Sequence, residues 1–253
     1  MSGAWRVLSE EIARWRDAGR SVEFWWRDDD AARPGPALER LLALSARSGV
    51  PLALAVVPAQ ADPAIFSRLD NSVSVIQHGT DHANRAASGE KKTEFPASEP
   101  PERALARLDA ARKRLAAQAG DRFLAILAPP WNRLPKSLVP LLATAGFCGL
   151  SQYGPRSSAV PARGVRQVNT HVDVIAWRSS RRFVGEDEAL VAAVRHLAAR
   201  RAGLADTGEP TGWLTHHGVH DGAAWDFLGR LFETTLAIPG VEWRCAGELF
   251  QVT

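Results

Sequence analysis

The feature that most constrains this chain is a run of six residues without a polar side chain, Leu52-Ala53-Leu54-Ala55-Val56-Val57. A strand with one wet face alternates apolar and polar residues. A continuous apolar run belongs to a strand buried on both faces, and such strands occur in parallel sheets covered by helices. Shorter runs of the same kind lie at Val22–Arg27, Val73–Gln77, Phe123–Ala128, Phe147–Ser151 and Gly212–Thr215, with at least one more strand inside Val165–Trp177 and a last one at Val241–Arg244. Between them fall helical periods. Trp5, Leu8, Ile12 and Trp15 recur at spacings of three and four, and the segments Pro36–Arg47, Pro63–Leu69, Glu102–Ala119, Pro135–Ala145, Glu186–Arg201 and Ala223–Ala237 read the same way. Strand and helix alternate about seven times, which predicts an α/β chain with helices outside a parallel sheet, as a barrel or a doubly wound sheet.

Composition narrows the function classes. The chain has 253 residues, 45% hydrophobic and 23% charged, which excludes wholesale disorder and a disulfide scaffold. No repeat or linker divides it, so one domain over residues 1–253 is expected. The net charge of +3 is diffuse, with no run of five or six like charges, so no nucleic-acid partner is expected. Cys148 and Cys245 stand outside any Cys-x-x-Cys pair and read as reduced buried thiols, with a single disulfide between them as the alternative. The first twenty residues carry charge throughout, and no stretch approaches 18 apolar residues. The expectation is a cytoplasmic protein with no membrane partner.

Four polar clusters follow strands directly: Asp28-Asp29-Asp30, His78-Gly79-Thr80-Asp81-His82, Ala128-Pro129-Pro130-Trp131-Asn132-Arg133, and His216-His217-Gly218-Val219-His220-Asp221. In a β/α barrel those strand ends share one rim, where active sites form. Adjacent carboxylates repel and are tolerated beside a cation. Two imidazoles four residues apart share one face if the segment is helical, close enough for one metal. His216 and His220 repeat that spacing and offer a rival metal site, although Gly218 argues against a helix there. Otherwise a histidine here serves as a general acid or base. The Pro-Pro pair stiffens a loop, leaving the amides of Trp131 and Asn132 unpaired and Trp131 placed to stack on a sugar ring. Asn84–Pro101 has no periodicity and reads as a long functional or mobile loop.

Taken in order, these clusters resemble the NodB-homology domain of polysaccharide deacetylases, carbohydrate esterase family 4 and its divergent relatives. That family has an Asp-Asp doublet, His-x-x-x-His, Arg-Pro-Pro-Tyr, an Asp-Trp segment and Leu-x-His. The matches here are Asp29-Asp30, His78/His82, Ala128-Pro129-Pro130-Trp131, Asp173…Trp177 and Leu214-Thr215-His216, spanning residues 22–217. The resemblance implies a deformed (β/α)7 barrel of parallel strands with outer helices, and a divalent metal, usually zinc. It implies Asp30, His78 and His82 as metal ligands, Asp29 as general base and His216 as general acid. Asp28, Trp131, Asn132, Asp173 and His217 are expected to support the site or bind substrate. A register of Asp28/Asp29 remains the alternative, although relatives with Arg-x-Asp-Asp favour Asp29/Asp30. The expected activity is a metal-dependent hydrolase releasing an acetyl group from an amino sugar or oligosaccharide. A deformylase or cyclic amidase on the same fold is the alternative within that class. The family arginine that buttresses the base is Ala128 here, which motivates a further alternative, a non-catalytic carbohydrate-binding barrel with a degenerate site. Arg27 and Arg133 are the candidates to replace that arginine.

Overall fold

The computed structural model describes residues 3–251. Its elements are α1 (Gly3–Asp17), β1 (Val22–Ala31), α2 (Pro36–Ser48), β2 (Leu52–Val56), β3 (Val73–His78), α3 (Pro101–Ala119), β4 (Phe123–Ala128), β5 (Gly149–Leu150), β6 (Arg166–Gln167), β7 (Val172–Asp173), α4 (Glu186–Arg201), β8 (Thr211–Thr215), α5 (Gly222–Leu236), β9 (Val241–Trp243) and α6 (Ala246–Phe250). Every strand pairing within the sheet is parallel, in the order β6-β5-β4-β3-β2-β1-β8-β7, with β9 added beside β1. The sheet curls through 235° as a deformed β/α barrel, open between β6 and β7. Among the described residues, no helix is long and apolar enough to cross a membrane.

The doubly buried strands divide their side chains by parity, because successive residues point to opposite faces. On β1 and β2, Phe24, Trp26, Leu52, Leu54 and Val56 join the outer core beneath α1, α2, α4 and α5, with Trp5, Leu8, Trp15, Trp213 and Phe232. Trp25, Ala53 and Ala55 point into the barrel, with Ile76, Ile126, Ala128 and Phe250. The interior is lined with small residues because it must admit Trp25 and Phe250, whose rings meet edge-on at 6.1 Å. On β1 the same parity sends Arg27 and Asp29 inward with Trp25 and turns Asp28 outward with Trp26.

The open edge of the barrel is closed by polar side chains instead of a ladder. Trp25 donates its indole N–H to the carbonyl of Asn169 at 3.0 Å. The buried Glu209 carboxylate accepts the backbone N–H groups of Arg156 (2.9 Å) and Asn169 (3.0 Å). Gly212 is required there: a Cβ would lie 2.6 Å from Asn169 O and 2.8 Å from Thr170 Cα. Beside this edge the rings of His171 and His196 stack at 3.4 Å, with His196 Nδ1 2.9 Å from Thr211 Oγ1.

Several sequence-derived boundaries change. The first strand runs to Ala31, not Arg27. Pro135–Ala145 contains a 3-10 segment over Val139–Ala145, where Pro140 has no amide hydrogen to give a longer helix. Pro63–Arg68 is likewise 3-10. The expected strand Phe147–Ser151 shrinks to Gly149–Leu150, and Val165–Trp177 supplies two two-residue strands.

Burial lowers the pKa of both stacked imidazoles, that of His196 from 6.5 to about 2, with His171 and Arg200 pushing it the same way. The unfolded chain therefore binds a proton on His196 that the folded chain refuses. This contribution to stability is complete above pH 6.5 and is lost as pH falls toward 2. Urea denaturation at about pH 7.5 and about pH 5 should show a loss of stability that is smaller in His196→Gln. Equal slopes for the two proteins would show that His196 does not carry this titration.

Candidate active site

Three strand ends build the first part of the site. At the end of β1, Asp30 adopts φ 68°, and the β1–β2 register shifts between Asp28 and Ala31. This bulge interrupts the alternation, so Asp29 and Asp30 both reach one cavity while Asp28 does not. The cavity has a volume of about 550 Å³ and is also lined by His78, His82, Trp131, Asn132, Asp173 and His216. His78 ends β3. The segment after it is not the helical turn that His-x-x-x-His suggested: Gly79 and His82 both take left-handed backbone, at φ 60°. The turn still brings both imidazoles to one point, with Asp30 Oδ1 3.1 Å from His78 Nε2 and 3.2 Å from His82 Nε2.

This trio fits a divalent cation. His78 Nδ1 lies 3.0 Å from the carbonyl of Ala128, so the ring proton belongs on Nδ1 and the Nε2 lone pair faces the Asp30 oxygen. Two lone pairs at that separation repel unless a cation lies between them. Without metal a proton would take that place: burial lowers the His78 pKa, but Asp29 and Asp30 outweigh it and raise it above its ordinary value. A second trio, His171, His196 and Glu209, also brings its ligand atoms within 4.8 Å of one another. Its chemistry does not fit a metal. The N–H of Gly212 donates to His171 Nδ1 at 3.0 Å, which places the ring proton on the Nε2 that would have to bind. The rival pair His216/His220 shares no metal position either, because the His216 N–H donates to His220 Nε2 at 3.4 Å.

Asp29 is held by Arg27. The guanidinium is fully buried, and its Nε and Nη2 lie 2.9 and 3.0 Å from the two Asp29 oxygens. The other N–H groups reach Asn132 Oδ1 (2.6 Å) and the carbonyl and hydroxyl oxygens of Ser151 (3.0 and 2.7 Å). Arg133, the other candidate for this task, instead donates to the carbonyl of Lys92 at 2.6 Å. His216 Nε2 stands 4.0 Å from Asp29 Oδ2, with its ring edge-on to Trp177 at 4.6 Å. Asp173 lines the same cavity and accepts the Trp177 indole N–H at 2.9 Å; burial raises its pKa.

No family model and no curated protein matches the sequence. Solved structures do match. A family 4 acetyl xylan esterase from Clostridium thermocellum, solved with a cobalt ion, is 16% identical over 91% of each chain, with a TM-score of 0.52. The Bc1960 peptidoglycan N-acetylglucosamine deacetylase is 14% identical, covering 91% of this chain and 89% of that one, with a TM-score of 0.57. PuuE allantoinase is 13% identical, covering 91% and 88%, with a TM-score of 0.63. The chain has the polysaccharide deacetylase fold.

Within this deacetylase fold, Asp28 and His217 lie behind the cavity and fasten two strand ends together. Asp28 accepts the Thr215 hydroxyl (2.7 Å) and the His217 N–H (3.0 Å), and its second oxygen lies 2.5 Å from His217 Nδ1. Burial raises the Asp28 pKa, but the His217 pair outweighs it and brings it below the ordinary carboxylate value. Trp131 packs over His82 at 4.5 Å. The amide of Asn132, expected to be unpaired, donates to the Pro129 carbonyl at 2.9 Å.

The sequence reading missed Glu94. This residue of the long loop is fully buried, and its carboxylate accepts the Thr80 N–H (2.8 Å), the Asp81 and His82 N–H groups (3.3 Å each) and the Thr80 hydroxyl. Arg107 and Arg85 flank it. Glu94 thereby holds the whole turn between the two histidines. Gly79 leaves it room, since a Cβ there would run into the Glu94 carboxylate and the Pro130 ring. Among the described residues six non-glycine positions have positive φ, and five of them (Asp30, His82, Trp131, Asn132 and Arg181) line the cavity. Strain concentrated this way marks a site held in shape by its surroundings.

Supporting groups one step from a ligand set typically change metal affinity 10–100-fold. Glu94→Gln should therefore weaken zinc binding by about that factor in a chelator competition, with the far-UV spectrum unchanged. Unaltered affinity would show that the turn keeps its shape without Glu94.

Proposed function

We propose that this protein is a hydrolase that removes an acyl group, acetyl in the first instance, from an amino sugar or oligosaccharide, using a divalent cation held by Asp30, His78 and His82. The observation that carries the reading is the Asp29–Arg27 pair, which lies beside a trio with metal-ligand chemistry and within 4.0 Å of His216, on a deacetylase fold. Two imidazoles, one carboxylate and an open cavity favour zinc at a catalytic position. When bound, the cation supplies Lewis acidity, polarising the acyl carbonyl and making water a better nucleophile near neutral pH.

The chain's own residues do the rest. Asp29 takes the proton of the attacking water. The proton goes to Oδ2, which lies 4.0 Å from His216 Nε2, because Oδ1 is buried against Arg27 Nε. Arg27 fixes the carboxylate plane so that neither oxygen turns away. His216, on the neighbouring strand end, returns a proton to the departing nitrogen or oxygen. We assign the backbone N–H of Trp131 to the developing oxyanion, the Asn132 amide being already engaged. Water, base, acid and acyl carbon then occupy one cavity, and the products are the free amine or alcohol and acetate.

The arginine that the family places in its third motif is missing at Ala128, which had favoured a decayed binding barrel. Arg27 removes that motive by meeting both Asp29 oxygens itself. The cyclic-amidase alternative is decided by substrate: acetate release from acetylated chito-oligosaccharides supports the deacetylase reading, and ring opening of a cyclic amide with no acetate release overturns it.

His78→Ala should leave a protein that no longer retains zinc. His216→Ala should retain zinc and lose about 10²–10⁴-fold in kcat, the usual size of a general acid-base contribution. Metal analysis together with acetate release checks both. Loss of zinc from His216→Ala would reverse the assignment of the two clusters.

A further inference from the structure

We infer that the substrate carries an anionic group, a phosphate or carboxylate, next to the acylated sugar. The inference rests on the hydrolase reading for the position of the acyl group and goes beyond it in substrate class. The mouth of the cavity is lined by Lys92, Arg133 and Arg181. Among the described residues none of the three side chains pairs with a carboxylate, and the one polar contact they make is from Arg133 to the Lys92 carbonyl. The acids deeper in the cavity do not neutralise them. Asp29 is paired with Arg27, Asp30 is committed to the two imidazoles, and Asp173 accepts the Trp177 indole N–H. With a dication seated at Asp30, the cavity therefore presents surplus positive charge to anything entering.

An adjoining cavity of about 440 Å³ continues the pattern. It shares Asn132 and Tyr153 with the first and adds Lys136, which among the described residues has no acidic partner. Tyr153 and Trp177 are 49% and 39% exposed and, with Trp131, line the first cavity. Aromatic faces suit the C–H faces of a pyranose, and the cations suit an anion on its rim. Unpaired cations around a cleft attract anions from solution, an effect that salt screens.

The test compares N-acetylglucosamine, N-acetylglucosamine 6-phosphate and N-acetylmuramic acid as substrates of the zinc-loaded protein, with Lys92→Gln/Arg181→Gln alongside the wild type. The wild type should prefer one or both anionic sugars about tenfold or more in kcat/KM, and salt should reduce that preference. The two charged arms separate phosphate from carboxylate. The double variant should bring the anionic-to-neutral ratio back toward one. Acyl release from all three sugars at equal kcat/KM overturns the anionic assignment and leaves the hydrolase reading standing. Titration of tryptophan fluorescence with the same three sugars keeps the two ideas apart. Salt-sensitive, cation-dependent binding of an anionic sugar without acyl release supports this inference and counts against the hydrolase. Equal binding of all three, or none, overturns it.

Discussion

Arg27 is the buried charge on which the site depends. A guanidinium without access to water is tolerated only when its N–H groups find acceptors and its charge finds a counter-charge. Here Asp29, Asn132 and Ser151 accept hydrogen bonds from the two Nη atoms, and Asp29 supplies the counter-charge, with its Oδ1 2.9 Å from Nε in an ion pair. The three partners come from β1, the loop after β4 and the residue after β5, so one side chain fixes three strand ends relative to one another. It also accounts for two polar clusters of the sequence lying side by side. The acidic run supplies the carboxylate, and Asn132 of the Pro-Pro loop supplies a neutral acceptor that lets the second Nη2 hydrogen be used without a second negative charge.

The turn between His78 and His82 obeys the same logic with opposite sign. Glu94 brings a buried negative charge to three consecutive backbone N–H groups, and Arg107 and Arg85 balance it from outside. Backbone amides held this way form an anion cradle. The strained conformations at Asp30, His82, Trp131 and Asn132 cost of order 1–3 kcal/mol each. They persist because Arg27 and Glu94 over-determine the loops carrying them. A barrel open on one edge would otherwise tolerate slack at that rim, and the Glu209, Asn169 and Trp25 bonds across the edge restrain it.

Much of this was legible in the residue order. Continuous apolar strands meant a parallel sheet, and polar clusters after strands meant one rim. Inside β1, parity alone separates Asp28 from Asp29 once Trp25 is placed inward and Trp26 outward. What parity cannot give is the bulge at Asp30, because positive φ at an aspartate leaves no mark in the pattern. It would have sent Asp30 to the same side as Asp28, away from the ligands. Glu94 was hidden for a different reason. It lies in a loop without periodicity among Glu90 and Glu99, and nothing local distinguishes a carboxylate that folds back onto three amides from one in water. The helix expected over Pro135–Ala145 failed because apolar spacing in a short segment does not separate an α-helix from 3-10 turns, and Pro140 interrupts any helix begun at Pro135.

The replacement of the family arginine by Ala128 follows from the same electrostatics. Ala128 is buried at the end of β4 among the small interior residues, and its carbonyl accepts the His78 ring N–H. An arginine at position 128 would bring a second guanidinium toward a single buried carboxylate. Asp29 can neutralise one of them, and the other would be left as an uncompensated charge in a low-dielectric interior, at a cost of several kcal/mol. The two arginines are thus alternatives on one frame. Placing the guanidinium two residues before the carboxylate on the same strand gives both groups the inward face by parity.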